Sequence, residues 1–172
     1  MSDKIIVYTD GGSRGNPGSA AIGVVIYDGT GHLLKSYGKA IGIATNNEAE
    51  YGAVIFALQK VKALLGGEKI KKIQCEVRMD SELVCRQLNG GYKIEQERLF
   101  PLFIKIWNLR IDFGPSPRRP ALRRMLRQDE SGLWSREGGS LVFVHVPREQ
   151  NREADAQVNQ ALDREQQNLF TR

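Results

Sequence analysis

Four of the twenty acidic residues stand where a carboxylate could do chemistry. Asp10 follows a β-branched run, and Asp80 follows the predicted strand over residues 70–79. Ligands of α/β proteins collect at the carboxyl ends of strands, so both acids are placed to bind one. Each also has a simpler interpretation: Asp10 as a turn acid, and Asp80 as a strand end beside the helix cap Ser81.

Helical spacing separates Glu50 from the neighbouring acid Glu48. The two side chains lie about 200° apart on a helix of 3.6 residues per turn. Glu50 comes one turn before Val54, in line with the apolar stripe of the first predicted helix. Glu48 stands three residues after Thr45, which is the spacing of a capping box. Glu48 therefore has a structural explanation that Glu50 lacks.

The last predicted helix shows the same pattern at Asp155, which shares a face with Val158 and Leu162. Asn151 is the predicted N-cap, so Asp155 lies near the positive end of the helix, which favours an anion. A carboxylate at the edge of an apolar face needs a partner to offset its desolvation. Asp155 is therefore the fourth candidate.

Taken together, the four acids predict a metal site. No lysine neighbours them in the sequence, and oxygen-only ligands suit Mg²⁺, with Mn²⁺ as a substitute, rather than zinc. Two such ions roughly 3.5–4 Å apart would activate a water and stabilise the leaving oxygen of a phosphodiester. The pattern indicates nuclease chemistry with two divalent ions as cofactors.

The elements that must position these acids predict one α/β domain over residues 1–172. An antiparallel meander of three strands is followed by strand–helix units, in the order βββαβααβα. The predicted strands cover residues 4–10, 19–28, 32–42, 70–79 and 140–147; the predicted helices cover residues 46–65, 81–90, 97–110 and 151–167. A glycine pair at 66–67 ends the first helix.

Residues 111–139 form a polar insertion, rich in arginine and proline, that fits none of these elements. Within it, Leu122, Met125 and Leu126 fall on one side of a possible short helix, with arginines on the other. Three interpretations stay open: a nucleic-acid arm, a solvated insertion or a partner-binding patch. The insertion joins a helix to a strand, which predicts a position opposite the ligand-bearing edge and argues against contact with the scissile site.

Composition narrows the class of partner. The net charge of +5 and a pI of about 9.3 favour polyanionic partners. The two cysteines, in apolar settings, suggest neither a zinc site nor a disulfide scaffold. The start of the chain has no signal-peptide pattern, and no apolar run approaches membrane-spanning length. We therefore expect a cytoplasmic monomer without a membrane partner.

Four stretches carry a resemblance to a known family: "TDGGSRGNPG" (9–18), "TNNEAEYGA" (45–53), "MDSELVCRQLNG" (79–90) and "VPREQNREADAQVN" (146–159). In these motifs and their order the chain resembles a type 1 ribonuclease H of the archaeal-like branch, apart from residues 111–139. The resemblance implies a ribonuclease H-like fold: a five-stranded mixed sheet, three strands antiparallel and then two parallel, flanked by helices. It also implies that the central strand carries Asp10.

The same resemblance implies a reaction. The expected activity is endonucleolytic cleavage of the RNA strand in an RNA–DNA hybrid, leaving 5′-phosphate and 3′-hydroxyl ends. Duplex RNA is a possible further substrate. Four acids would hold two divalent ions, and they are the same four that strand position and helical spacing identify above: Asp10, Glu50, Asp80 and Asp155.

The resemblance also implies where the substrate lies. Residues of the glycine-rich stretch after Asp10 would approach the RNA backbone, and residues at the start of the first helix would touch DNA phosphate and the minor groove. These substrate-binding candidates are Gly11, Gly12, Ser13 and Asn16, followed by Thr45, Asn46 and Asn47. For the two adjacent asparagines, a simple role at the helix start stays open.

His145 stands ten residues before Asp155, where the family has a histidine thought to assist proton movement and product release. Its setting, "FVHVP", is typical of a strand, so a structural hydrogen bond is the alternative.

For the whole protein, the alternatives are a non-catalytic module that binds RNA–DNA hybrids and a DNA-directed nuclease with the same fold. Four uncompensated acids disfavour the first, and the glycine-rich stretch disfavours the second.

Overall fold

A single five-stranded sheet organises the computed structural model, which describes residues 4–114 and 140–170. Its strands are β1 (Lys4–Gly15), β2 (Gly18–Asp28), β3 (Leu33–Ala44), β4 (Gln74–Met79) and β5 (Ser140–His145). The order across the sheet is β3-β2-β1-β4-β5, with β1–β2 and β2–β3 antiparallel and β1–β4 and β4–β5 parallel. The predicted mixed sheet with β1 at its centre is confirmed.

Helices follow the predicted order, with one addition. They are α1 (Asn46–Leu65), α2 (Gly67–Ile70), α3 (Glu82–Leu88), α4 (Phe100–Asp112) and α5 (Arg152–Phe170), and 3₁₀ turns cover Glu97–Leu99 and Arg148–Gln150. The single-turn helix α2 was not predicted, and because of it β4 begins at Gln74 rather than at Ile70. The side chain of Ile70 is fully buried, so the short helix delivers an apolar residue to the core.

Helices cover both faces of the sheet. Helix α1 packs against β1 and β2, with α4 packed on α1, and together they enclose the main core around Val7, Val24 and Leu58. Helix α5 packs against β1, β2 and β3 and buries a smaller cluster of Ala21, Val158, Ala161 and Leu162. The carboxyl-terminal half of β1 therefore runs between two helices.

Strand β1 is longer than predicted. The predicted strand ended at Asp10, before the glycine-rich stretch. Instead β1 stays paired with β2 until Gly15 meets Gly18, while its pairing with β4 ends at Tyr8. Asp10 thus lies inside a strand, just past the point where the parallel neighbour stops. This divergence opens the sheet at the acid, and the tight hairpin with β2 supplies the backbone hydrogen bonds that a loop would lack.

Helix α4 runs to Asp112, past the predicted start of the insertion at Ile111. Residues 115–139, including the predicted short amphipathic helix, lie outside the described residues. Among the helices that are described, no stretch is both long and apolar enough to span a membrane. The cysteines Cys75 and Cys85 are buried and unpaired.

Candidate active site

Three of the predicted acids converge where β1 and β4 diverge. One carboxylate oxygen each from Asp10, Glu50 and Asp80 lies within 4.8 Å of the others. Asp10 comes from inside β1 and is 8% exposed, whereas Glu50 and Asp80 are half-buried. Asp80 follows the last residue of β4, as predicted, and Ser81 caps α3 through a hydrogen bond from Val84 N.

The start of α1 fixes Glu50. Thr45 and Glu48 form the predicted capping box: Thr45 Oγ1 accepts from Glu48 N at 3.3 Å, and Glu48 Oε2 accepts from Thr45 N at 2.8 Å. Gly11 lies directly against this turn, since a Cβ there would be 2.2 Å from the carbonyl carbon of Ala49. Gly11 is thus buried against α1, and its missing side chain lets Glu50 approach β1.

The fourth predicted acid, Asp155, lies beside this group rather than within it. Its side chain is 36% exposed, and its Oδ1 is 3.5 Å from the guanidinium of Arg148. Asn159 donates to Oδ2 at 3.1 Å. The charge of Asp155 nonetheless raises the pKa of Asp10, so the fourth carboxylate is electrostatically part of the site.

Two glycines that sequence reasoning missed bring Asp155 this close. Gly23 pairs with Asp10 across the sheet, and Gly38 pairs with Gly23. A Cβ at Gly23 would lie 2.1 Å from the carbonyl oxygen of Ala154, and one at Gly38 would lie 2.5 Å from that of Gln157. Helix α5 therefore rests on a glycine row level with Asp10. No local sequence signal marks this contact.

The protonation of the group reflects burial and mutual repulsion. Burial first, and then the charges of Asp80 and Asp155, raise the pKa of Asp10 to about 7. Burial and the charges of Asp10 and Asp80 raise the pKa of Glu50 well above its ordinary value. Carboxylates crowded in this way, each with an oxygen facing a common point, form the oxygen donor set that a hard divalent cation requires.

Arg148 is the cation that the sequence analysis did not anticipate. Besides contacting Asp155, its charge lowers the pKa of both Asp10 and Glu50. The side chain is 79% exposed, so water screens its effect, and it offsets the acids only in part. No local pattern marks it, because Arg148 lies in the 3₁₀ turn before α5 and not on the helix that carries Asp155.

His145 lies on β5, as predicted, but is its last residue because the strand ends two residues before the predicted 147; its side chain is exposed. It pairs with Met79, the residue before Asp80, so it lies at the same edge of the sheet as the acids. No hydrogen bond or ion pair links it to them in the part of the chain that the structure describes. Its role in catalysis stays a prediction.

The tip of the β1–β2 hairpin is bound to the start of α1 through three substrate-binding candidates. Asn46 Oδ1 accepts from both Ser13 N and Ser13 Oγ at 2.9 Å, and Asn16 Oδ1 accepts from Asn46 N at 3.1 Å. The amide oxygens are therefore used within the protein. Their Nδ2 groups make no hydrogen bond to other described residues and stay available to an acceptor.

Beside this hairpin lies an open groove of about 600 Å³. Its lining combines predicted and unforeseen residues: Asn16, Thr45, Asn47, Gln96, Glu97 and Arg98. The last three come from the turn before α4, which is far from the hairpin in sequence. The Arg98 charge reaches the start of α1, where it helps to lower the pKa of Glu48. The groove therefore combines amide and hydroxyl groups with one cation, Arg98, and one carboxylate, Glu97.

Asn151 differs from its predicted role. Its side chain does not cap α5: Nδ2 donates to Thr9 O at 3.0 Å and to Asp80 Oδ1 at 2.8 Å, and Oδ1 has no hydrogen-bond partner among the described residues. The residue is 1% exposed. Its backbone carbonyl accepts from Asp155 N at 3.1 Å, so Asn151 holds the predicted N-cap position although its side chain does not cap the helix.

Comparison with known proteins agrees with this architecture. The RNase H family model matches residues 2–100. Ribonuclease HI of Halobacterium salinarum is 37% identical over 160 residues; the match covers 93% of this chain but 65% of the longer relative. LC11-RNase H1, isolated from compost, is 43% identical with a TM-score of 0.74, covering 94% of this chain and 97% of that one.

The same compost protein has also been solved in complex with an RNA/DNA hybrid, and that structure matches with a TM-score of 0.73 at 42% identity over 93% of this chain and 97% of that one. The family match covers more than half of the chain, and it includes the strands and helices that carry Asp10, Glu50 and Asp80. The chain belongs to the RNase H family.

Proposed function

We propose that this protein is an endoribonuclease that cleaves the RNA strand of RNA–DNA hybrids, leaving 5′-phosphate and 3′-hydroxyl ends. The observation that carries the proposal is the convergence of Asp10, Glu50 and Asp80 within 4.8 Å, at the opening between β1 and β4. Its similarity to LC11-RNase H1, which was solved with such a hybrid, supports the choice of substrate.

The donor set fits divalent magnesium, with manganese as the substitute. Asp10, Glu50 and Asp80 would hold the metal, and Asp155, at the edge of the group, would complete a site for two ions. Such ions would supply an activated water at neutral pH and offset negative charge on the phosphodiester. The raised pKa values of Asp10 and Glu50 support this assignment, because the folded protein gathers more negative charge here than its own cation neutralises.

The protein's own groups then orient the substrate. The free amide donors of Asn16 and Asn46 complement the acceptors of a nucleic-acid minor groove. RNA in an A-like hybrid presents 2′-hydroxyls there, which is how a protein distinguishes RNA from DNA. In the groove, Thr45 and Asn47 would donate to a backbone phosphate of the DNA strand, and Arg98, which lines the groove together with Glu97, would supply the positive charge.

Gly12 and Ser13, at the surface of the hairpin, would lie near the RNA backbone. Arg148 would limit repulsion among the acids before substrate and metal arrive. His145, exposed at the same edge of the sheet, is the proposed group for moving a proton during product release. Activity on duplex RNA and a monomeric state stay predictions.

A cleavage assay tests the proposal directly. A hybrid labelled on the RNA strand, a duplex RNA and a duplex DNA are each incubated with the protein in Mg²⁺, in Mn²⁺ or in EDTA. We expect metal-dependent cleavage of the hybrid RNA, with 5′-phosphate ends identified by mass spectrometry. Hybrid binding without cleavage in either metal would instead establish the non-catalytic module.

Matched variants control for folding and contaminating nucleases. Asp10→Asn removes one proposed ligand charge with little change in shape and should abolish cleavage. Glu95→Gln removes an exposed carboxylate outside the site and should cleave like the wild type. Equal activity of Asp10→Asn and wild type would exclude the proposed site.

A further inference from the structure

The amide of Asn151 connects the elements that carry the acids. It lies between the 3₁₀ turn Arg148–Gln150 and α5, and its side chain reaches both β1 and the residue after β4. Nδ2 donates to the carbonyl of Thr9, the residue before Asp10, and to Oδ1 of Asp80. The backbone carbonyl of Asn151 accepts a hydrogen bond from the backbone N–H of Asp155.

The orientation of this amide is dictated by its neighbours. Both groups facing Nδ2 are acceptors, a carbonyl and a carboxylate, so the alternative placement with Oδ1 turned toward them is excluded. Oδ1 is left buried without a hydrogen-bond partner among the described residues, an arrangement that costs stability. The amide therefore donates to both acceptors while its own buried oxygen stays without a hydrogen bond. A purely structural role does not explain why the unpaired oxygen is kept.

A neutral donor has a specific advantage at this position. A lysine or arginine bound to Asp80 would neutralise the charge that a cation needs, whereas an amide fixes the carboxylate and leaves its charge in place. The hydrogen bond uses only one of the two carboxylate oxygens, Oδ1. The second bond pins the backbone immediately before Asp10. Groups that orient ligands in this way commonly control metal affinity.

We propose that Asn151 is a positioning residue that holds Asp80 and the Thr9–Asp10 backbone in the arrangement that receives a divalent cation. This inference rests on the proposed function, because it assumes that the three acids bind metal. It assigns no contact with the substrate to Asn151: the residue acts through Asp80 and Asp10.

Calorimetric titration of the full chain with Mg²⁺, without nucleic acid, tests the inference. Asn151→Ala should weaken Mg²⁺ binding about tenfold or more. Gln87→Ala is the matched control, since Gln87 is also a buried amide, donating to Lys93 O at 3.0 Å and accepting from Tyr51 at 2.9 Å, with no contact to the acids. It should lose stability while its Mg²⁺ affinity stays that of the wild type.

Unchanged Mg²⁺ affinity in Asn151→Ala, with a loss of stability like that of Gln87→Ala, would overturn the inference and leave Asn151 as a structural tie. A measurement on the wild type covers the case in which the variant does not fold. The side-chain amide resonance of Asn151 should shift during Mg²⁺ titration and saturate with the calorimetric dissociation constant. A resonance that does not move would equally overturn the inference.

These results are separate from the cleavage assay. If Mg²⁺ binding depends on Asn151 but the wild type cuts no hybrid, the positioning role stands and the nuclease proposal fails. If cleavage occurs and Asn151→Ala needs about tenfold more Mg²⁺ for half-maximal rate but recovers the wild-type kcat at saturation, both stand.

Discussion

Removing the charge of Asp10 should stabilise the metal-free protein. The folded state raises the pKa of this carboxyl from 3.8 to about 7, chiefly through burial and then through the charges of Asp80 and Asp155. The folded protein therefore holds a proton that the unfolded chain has already released. The resulting penalty is absent below about pH 3.8, grows as the pH rises between the two pKa values, and is complete above about pH 7.

The magnitude follows from this interval. From 3.8 to about 7, at about 1.4 kcal/mol for each pKa unit, ionising Asp10 costs about 4 kcal/mol of unfolding free energy at pH 8. Asp10→Asn keeps the shape of the side chain and removes the charge. In EDTA we expect the variant to be more stable than the wild type by about this amount at pH 8, with the difference shrinking towards acid pH.

Urea unfolding in EDTA, followed by circular dichroism from pH 4 to pH 8, measures the effect. The exposed-site variant Glu95→Gln should match the wild type throughout. Adding Mg²⁺ should stabilise the wild type more than Asp10→Asn, because the cation compensates the same charge. A variant no more stable than the wild type at pH 8, or a gain that does not depend on pH, would refute the reasoning.

Three further predictions concern two neighbours of the acids and one residue of the groove. Gly11→Ala should destabilise the protein by about 3 kcal/mol or more in urea unfolding. The reason is that the new Cβ would lie 2.2 Å from the Ala49 carbonyl carbon and 2.3 Å from Glu50 N. A loss of stability below about 1 kcal/mol would contradict the close packing of α1 on β1. Arg148→Ala should lower the unfolding free energy of the metal-free protein at pH 8 by under about 1 kcal/mol, since the Arg148 guanidinium is exposed. This loss of stability should vanish in about 1 M salt. A loss that persists at high salt would mean that packing, not charge, is involved. Arg98→Ala should raise KM for the hybrid with little change in kcat. Fluorescence anisotropy should show that the slope of log binding constant against log salt concentration falls by about one. An unchanged slope would exclude a phosphate contact of Arg98 at the groove.

Much of the secondary structure and the choice of the three converging acids follow from local sequence. The capping box at Thr45 and Glu48 and the phase of Glu50 depend on residues a turn or less apart, and the structure has both as predicted. Strand and helix patterns predicted the order of elements along the chain, whereas the mixed sheet with β1 at its centre was expected from the resemblance to the ribonuclease H family. The extension of β1 beyond Asp10 was not predicted from the sequence. The glycines that follow Asp10 have no strand preference of their own and become part of the strand only by pairing with β2.

Other parts of the site were decided only when distant segments packed. The contacts of α5 with Gly23 and Gly38 depend on helix and sheet approaching within van der Waals distance, which glycine permits but no local pattern announces. Asn151 stands at the predicted N-cap position, but its side chain finds its partners 142 and 71 residues away instead of capping the helix. The sequence by itself determined that Asp80 follows a strand and that Glu50 and Asp155 lie on helix faces, because periodicity is local. Only tertiary structure decided which residues hold, screen and surround them, because those partners come from separate elements.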